Sequence, residues 1–129
     1  MAYINYNANP KERTNVGDCV IRALSKATGK SWDEVYDELY IIGKKKKRMM
    51  NDPHTYKEFL KNNNFTLCPA ARDEDGKMIS VKEFSNNVNA DTMYVIHTRK
   101  HLTVVFNGDI YDTWDTSYEK AGKFYSKRI

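Results

Sequence analysis

An α+β fold, with helices first and an antiparallel sheet after them, is what this sequence predicts. In the first two thirds of the chain, apolar residues recur at helical spacing between recognisable caps. From Thr92 onward the pattern changes to short alternating runs of β-branched and aromatic residues separated by turn residues. Helical segments followed by strands over only 129 residues give a single α+β domain spanning residues 1–129.

Asp18 is placed to cap the first helix. Val20, Ile21, Leu24 and Ala27 then form its apolar stripe, and Gly29 ends it. Ser31-Trp32-Asp33-Glu34 has the form of a capping box opening a second helix through about Ile42, with Trp32, Val35, Leu39 and Ile42 as core. Asp52-Pro53 opens a third helix carrying Tyr56, Phe59 and Leu60, which Asn62-Asn63-Asn64 terminates. Ser80 to Phe84 reads as one more short helix. The strands are expected at Met93 to His97, His101 to Phe106, Asp109 to Thr113 and Lys123 to Lys127.

Composition bounds the function. An apolar fraction of 40% and an aromatic fraction of 12% suit an ordinary globular core. No stretch has the form of a secretion signal or approaches the length of a membrane span, so a cytoplasmic location without membrane contact is expected. Two cysteines, Cys19 and Cys68, are too few for a disulfide framework, and no Cys-x-x-Cys pair suggests zinc. His97 and His101 lie four apart but not on one helix, so no metal and no cofactor are expected. His54 is expected on the surface in the first turn of the third helix.

The chemistry gathers around Cys19. A thiol in the first turn of a helix faces unpaired backbone N–H groups and the positive end of the dipole, which favour thiolate. A free cysteine is also often a small buried hydrophobe, and that alternative stands until partners are found. The partners come from the stretch His101 to Trp114. If Asn107-Gly108 is a two-residue turn, Phe106 pairs with Asp109, Val105 with Ile110, Val104 with Tyr111 and Thr103 with Asp112. Alternation then gives His101, Thr103 and Val105 the same face as Ile110, Asp112 and Trp114. Asp112 is positioned to orient the His101 ring, and Trp114 to shield it. Asp109 has the opposite parity, and a one-residue slip would reverse the assignment. Taken alone, His101 reads first as a strand histidine with its ring hydrogen-bonded in the core or at the surface. With Cys19 and Asp112 it completes a thiol, imidazole and carboxylate set.

In order and placement these residues resemble papain-like cysteine peptidases. Asp112-Thr113-Trp114 is similar to the papain-type Asn-Ser-Trp. More narrowly, Asp18-Cys19-Val20-Ile21-Arg22-Ala23-Leu24 through Ala27-Thr28-Gly29-Lys30, with His101-Leu102 and Gly108-Asp109-Ile110-Tyr111-Asp112-Thr113, resembles small phage and prophage proteins of papain-like type. The segment from about Ile41 to Asp91 carries no motif of the family. The resemblance implies a papain-like fold, with N-terminal helices packed on a C-terminal antiparallel β-sheet, and acyl transfer by Cys19, His101 and Asp112. A phage protein of this kind would act as a peptidase, isopeptidase or amidase on a phage or host protein in the host bacterial cytoplasm; an amine acceptor would make it a transglutaminase-type enzyme. The family's oxyanion glutamine, six residues before the nucleophile, corresponds to Arg13 here. Asn15 is the residue expected to serve instead, together with the Cys19 N–H. Cys68 is the weaker alternative thiol.

Lys44, Lys45, Lys46, Lys47 and Arg48 form a run of positive charge in a chain of net charge +4. A solvated loop is the common fate of such a run. It can also flank the cleft and select an acidic substrate. Nucleic acid is not the expected partner, because aromatic residues do not interleave with the charges and no nucleic-acid-binding signature accompanies them. The competing class is a non-catalytic papain-like binding protein that uses this patch to hold nucleic acid or an acidic host factor.

Overall fold

The computed structural model describes all 129 residues. The elements run β1 (Ala2–Asn5), α1 (Cys19–Thr28), α2 (Trp32–Lys46), α3 (Pro53–Asn62), β2 (Thr66–Cys68), α4 (Val81–Asn86), β3 (Thr92–Thr98), β4 (His101–Phe106), β5 (Asp109–Asp112) and β6 (Phe124–Arg128). Four helices and one six-stranded sheet make the fold α+β, and the strands are ordered β1-β5-β4-β3-β6-β2.

The sheet is mixed, not antiparallel throughout. Its four central strands pair antiparallel, as does β2 with β6, but β1 runs parallel to β5. Neither β1 nor β2 was expected from the sequence. Both are edge strands of four and three residues, too short for alternation to declare itself, and they exist because the edges of β5 and β6 offer unpaired backbone groups. Cys68 accordingly lies in a strand, near the Ser126 hydroxyl at 3.7 Å.

Local chemistry explains the helix ends. In α2 the Ser31 hydroxyl accepts from Glu34 N–H while the Glu34 carboxylate accepts from Ser31 N–H. Asp52 accepts from His54 N–H at 2.8 Å, with Pro53 in the first position of α3, and Gly29 closes α1 in the left-handed conformation. The second helix runs one turn past Ile42. Lys44, Lys45 and Lys46 are therefore helical, and Lys47 is the left-handed cap, where a loop was expected. Cations in a last turn complement the negative end of the helix dipole, which lets the run continue the helix.

Two apolar clusters fill the interior. The larger joins α1, α2 and α3 with Met93, Val95, Leu102, Val104 and Tyr125 of the sheet; the smaller joins Val81 and Phe84 of α4 with Tyr94, Ile96, Val105 and Ile110. Alternate residues of β3 and β4 thus divide between the clusters, as the two-residue period of a strand requires. No helix is long and apolar enough to cross a membrane.

One backbone closure is testable. Where α2 ends, Arg48 N–H donates to Gly43 O at 2.9 Å, so the chain folds back over Gly43 and a Cβ there would meet Arg48 O at 2.6 Å. Glycine to alanine inside a helix usually gains about 1 kcal/mol. Here Gly43→Ala is expected to lose about 1–3 kcal/mol through overpacking, measured by urea unfolding. A gain in stability would show that the closure yields without cost.

Candidate active site

Cys19 is the first residue of α1. Asp18 occupies the cap position as expected, yet its side chain makes no capping bond. The carboxylate is committed elsewhere: it pairs with Arg22, one turn on, and accepts from Asn9 Nδ2 at 3.2 Å and Trp32 Nε1 at 2.9 Å. Both charged groups are buried. This network ties the loop before α1 and the start of α2 to the residue preceding the thiol, and it leaves the first-turn N–H groups of α1 without a side-chain cap.

The hairpin delivers the other two groups. Asn107 and Gly108 both have positive φ, 52° and 79°, and the pairs Phe106–Asp109, Val105–Ile110 and Val104–Tyr111 follow in the expected register. His101 Nε2 lies 2.6 Å from Asp112 Oδ2. The other carboxylate oxygen of Asp112 accepts from Thr113 N–H at 2.7 Å, and its backbone carbonyl accepts from Tyr6 N–H at 2.8 Å, so β1 helps to hold the acid. Asp109 and Asp115 have other partners, Ala2 N–H and Ser117 N–H.

Cys19 packs against the larger cluster, whereas alternation puts His101 and Asp112 on the face of Val105 and Ile110. Thiol and imidazole meet at the end of the sheet, where β5 stops at Asp112. With Nε2 engaged by Asp112, the ring presents Nδ1 to the thiol. A backbone donor joins them. His97 spends its N–H on Lys123 O and its carbonyl on Gly122 N–H, both on the β6 side. Its cross-strand partner Leu102 therefore turns its N–H the other way, toward the space β5 has vacated, where it favours the ionised form of Cys19.

Electrostatics follow from this geometry. Burial pushes the Cys19 thiol up, but the hydrogen bond and positive charge of His101, the Leu102 N–H and the nearby Arg22 together outweigh it and hold the thiol below its ordinary value. Burial likewise disfavours the charged His101 ring. Its bonds to Asp112 and Cys19 prevail, and the imidazole is pushed up to about 9. His97, close by, moves the opposite way, lowered by burial and by the charges of Lys123 and His101.

No protein-family model, curated protein or solved structure matches the chain.

The structure does not bring every candidate together. Asn15 is exposed and does not line the 340 Å³ cleft that holds Cys19 and His101. Asp18 is drawn inward by its three partners, and the chain just before it turns through Gly17 at φ 65°, which leaves Asn15 outside. Asn51 lines the cleft instead; nothing in its local sequence, beyond its place before the third helix, marks it. Trp114 lies beyond the end of β5, its ring 5.2 Å from that of His101, but 45% exposed, so it covers one side of the imidazole only. Cys68 has no imidazole partner. His54 is exposed and bonds Asp52. The Asp18–Arg22–Trp32–Asn9 network escaped sequence reading, although an acid and a base four apart on a helix were its visible signal.

Two outcomes follow from these contacts. Because its folded value is raised, His101 protonation stabilises the fold fully below its unfolded value of about 6.5, and that contribution is lost as pH rises through about 9. Cys19 ionisation has the opposite sign, stabilising above the ordinary thiol value and fading as pH falls through its lowered one. In an NMR titration of the ring protons, His101 should therefore stay charged to about pH 9 while His97 titrates below its ordinary value, and Asp112→Asn should move the His101 midpoint down. A wild-type His101 midpoint near 6.5 would mean that the pair is not formed. Separately, Asp18→Ala strands the buried Arg22 charge and should cost on the order of 3–5 kcal/mol in urea unfolding. A change below about 1 kcal/mol would show that the pair behaves as an exposed one.

Proposed function

We propose that this protein is a cysteine-nucleophile acyl-transfer enzyme of papain-like type and arrangement, a peptidase, isopeptidase or amidase acting on a protein or peptide. The observation that carries the proposal is the connected set of Cys19, His101 and Asp112, in which a thiol below its ordinary value faces an imidazole raised to about 9. Such a pair stores the nucleophile as thiolate and the proton as imidazolium.

In the first step the Cys19 thiolate adds to the carbonyl carbon of the substrate. The carbonyl oxygen takes the negative charge, facing the uncapped N–H groups of the first turn of α1, with Asn51 as the neighbouring side-chain donor in the role expected of Asn15. His101 then gives its proton to the departing nitrogen, the C–N bond breaks and a thioester remains on Cys19. In the second step neutral His101 takes a proton from water, the hydroxide oxygen adds to the thioester carbon, and the C–S bond breaks to release the acid and restore thiolate and imidazolium. An amine in place of water would give transfer. Asp112 accepts from Nε2 throughout and fixes the ring so that Nδ1 faces sulfur. From the resemblance to phage proteins we propose that this activity is directed at a phage or host protein in the cytoplasm of a bacterial host.

A second class has an observation in its favour. Lys44, Lys45 and Lys47 are exposed and have no carboxylate partner, as a non-catalytic binding protein for an acidic host factor would also require.

Alkylation by iodoacetamide, read by peptide mass spectrometry, separates the two. Cys19 should react quickly well below the ordinary thiol value of about 8.5 and outpace Cys68. It should slow by roughly tenfold at pH 7 in His101→Ala, since an unassisted thiol is only a few per cent ionised there. Cleavage of a peptide library should vanish in Cys19→Ala. A slow Cys19 indifferent to His101 would remove the catalytic role and favour the binder.

A further inference from the structure

Beside the Cys19 cleft lies a larger groove of about 610 Å³ that the chemistry above does not use. Its floor is apolar, built from Val20 and Ile21 of α1, Trp32 and Tyr36 of α2, and Met49. Trp32 and Tyr36 stack at 5.3 Å, forming a flat aromatic wall, and Trp32 is fixed by its bond to Asp18. Val20 and Asn51 line both the groove and the cleft that holds the thiol, so the two adjoin across these residues. Met49, 73% exposed, lines both the groove and a shallow basin whose other residues include Lys44, Lys46, Lys47 and Arg48.

The charges around the groove and basin are unequal. Lys46 is paired with Glu58 at 3.3 Å and Arg48 with Asp52 at 3.2 Å. Lys44 and Lys47 beside them have no carboxylate partner, and Lys11 and Arg13 stand on the rim of the groove, likewise unpaired. Against these four cations the groove offers Asp33 alone, since the other carboxylate in its lining, Asp18, is spent on Arg22. A groove with a mostly apolar lining, an aromatic wall and an excess of unpaired positive charge suits a bulky apolar side chain on a chain that carries acidic residues.

We propose that this groove is the specificity site of Cys19 and seats a bulky apolar side chain of a polypeptide substrate whose acidic flanks lie along Lys44 and Lys47 and against Lys11 and Arg13. The assignment rests on the acyl-transfer role proposed for Cys19 and adds the class of substrate. The apolar side chain anchors the polypeptide next to the thiol, and the cations choose among polypeptides that share such an anchor. It also gives the basic run a purpose that needs no nucleic acid.

Binding alone tests this, so the full-length Cys19→Ala protein is used and no turnover is required. The probe is a fluorescein-labelled peptide with one phenylalanine flanked on both sides by glutamates in a glycine–serine host, followed by fluorescence anisotropy. Replacing the phenylalanine by glycine should weaken binding roughly tenfold or more. Tyr36→Ala in the protein should do the same. The double change Lys44→Glu with Lys47→Glu should weaken it similarly, as should raising salt from about 0.05 to about 0.5 M, with unchanged urea midpoints showing that each variant is folded. Equal affinity for the glycine peptide, insensitivity to Tyr36→Ala, or no binding of the phenylalanine peptide would overturn the proposal. So would a single-stranded oligonucleotide that binds as tightly as the peptide and regardless of Tyr36. Alkylation of Cys19 is measured on the wild type, so loss of thiol reactivity with binding intact would remove the acyl-transfer role and leave the groove, and the reverse would remove only the groove.

Discussion

A two-residue turn at Asn107-Gly108 sets the register on which the site depends. Both residues have positive φ, as a tight hairpin with the natural strand twist requires, and the pairing that follows brings Asp112 within 2.6 Å of the His101 ring. A slip by one residue would send that carboxylate to the opposite face of the sheet and leave the imidazole without its acid. The parallel pairing of β1 with β5 reinforces the same register from the other side, through the bond of Tyr6 N–H to Asp112 O. The first strand of the chain thus supports a residue more than a hundred positions away.

Termination matters as much as pairing. Because β5 ends at Asp112, the N–H of Leu102 has no strand opposite it and is free to face sulfur. The thiol is held where a helix begins and a ladder stops, two places at which backbone donors are left over. Asp18 could have consumed the helix donors as a cap. Its carboxylate is instead held by Arg22, Asn9 and Trp32, which keeps the first turn of α1 open while neutralising the buried guanidinium. Burial works against both charged members of the thiol–imidazole pair, and the pair stands because each supplies the hydrogen bond and opposite charge that the other lacks.

The same helix that presents Trp32 and Tyr36 to the groove ends in the lysine run, so one element carries an aromatic wall at its start and positive charge at its finish. The sharp return of the chain over Gly43 then lays Arg48 and Met49 back against that end, where Met49 lines both the groove and the basin of the lysines. Helix α2 thereby relates the apolar and the charged features by a fixed distance along a rigid rod, which a loop could not do.

Much of this was legible in the sequence, because it depends on chemistry confined to a few neighbouring residues. The capping box at Ser31, the stop at Gly29, the opening at Asp52-Pro53 and the Asn107-Gly108 turn each act through their own backbone, and the residue facing of the central hairpin follows from the turn. Tertiary structure decided the rest. The edge strands β1 and β2 are defined by the free edges they meet and not by their own few residues. The fate of the Asp18 carboxylate was settled by Asn9 and Trp32, which arrive from separate segments, and the chain between α2 and α3 brings Asn51, not Asn15, to the cleft of the thiol. Local sequence determines where helices and turns begin and end, since those energies are short-ranged. Which donors and acceptors remain unspent at their ends depends on what else packs there, and only the folded chain fixes that.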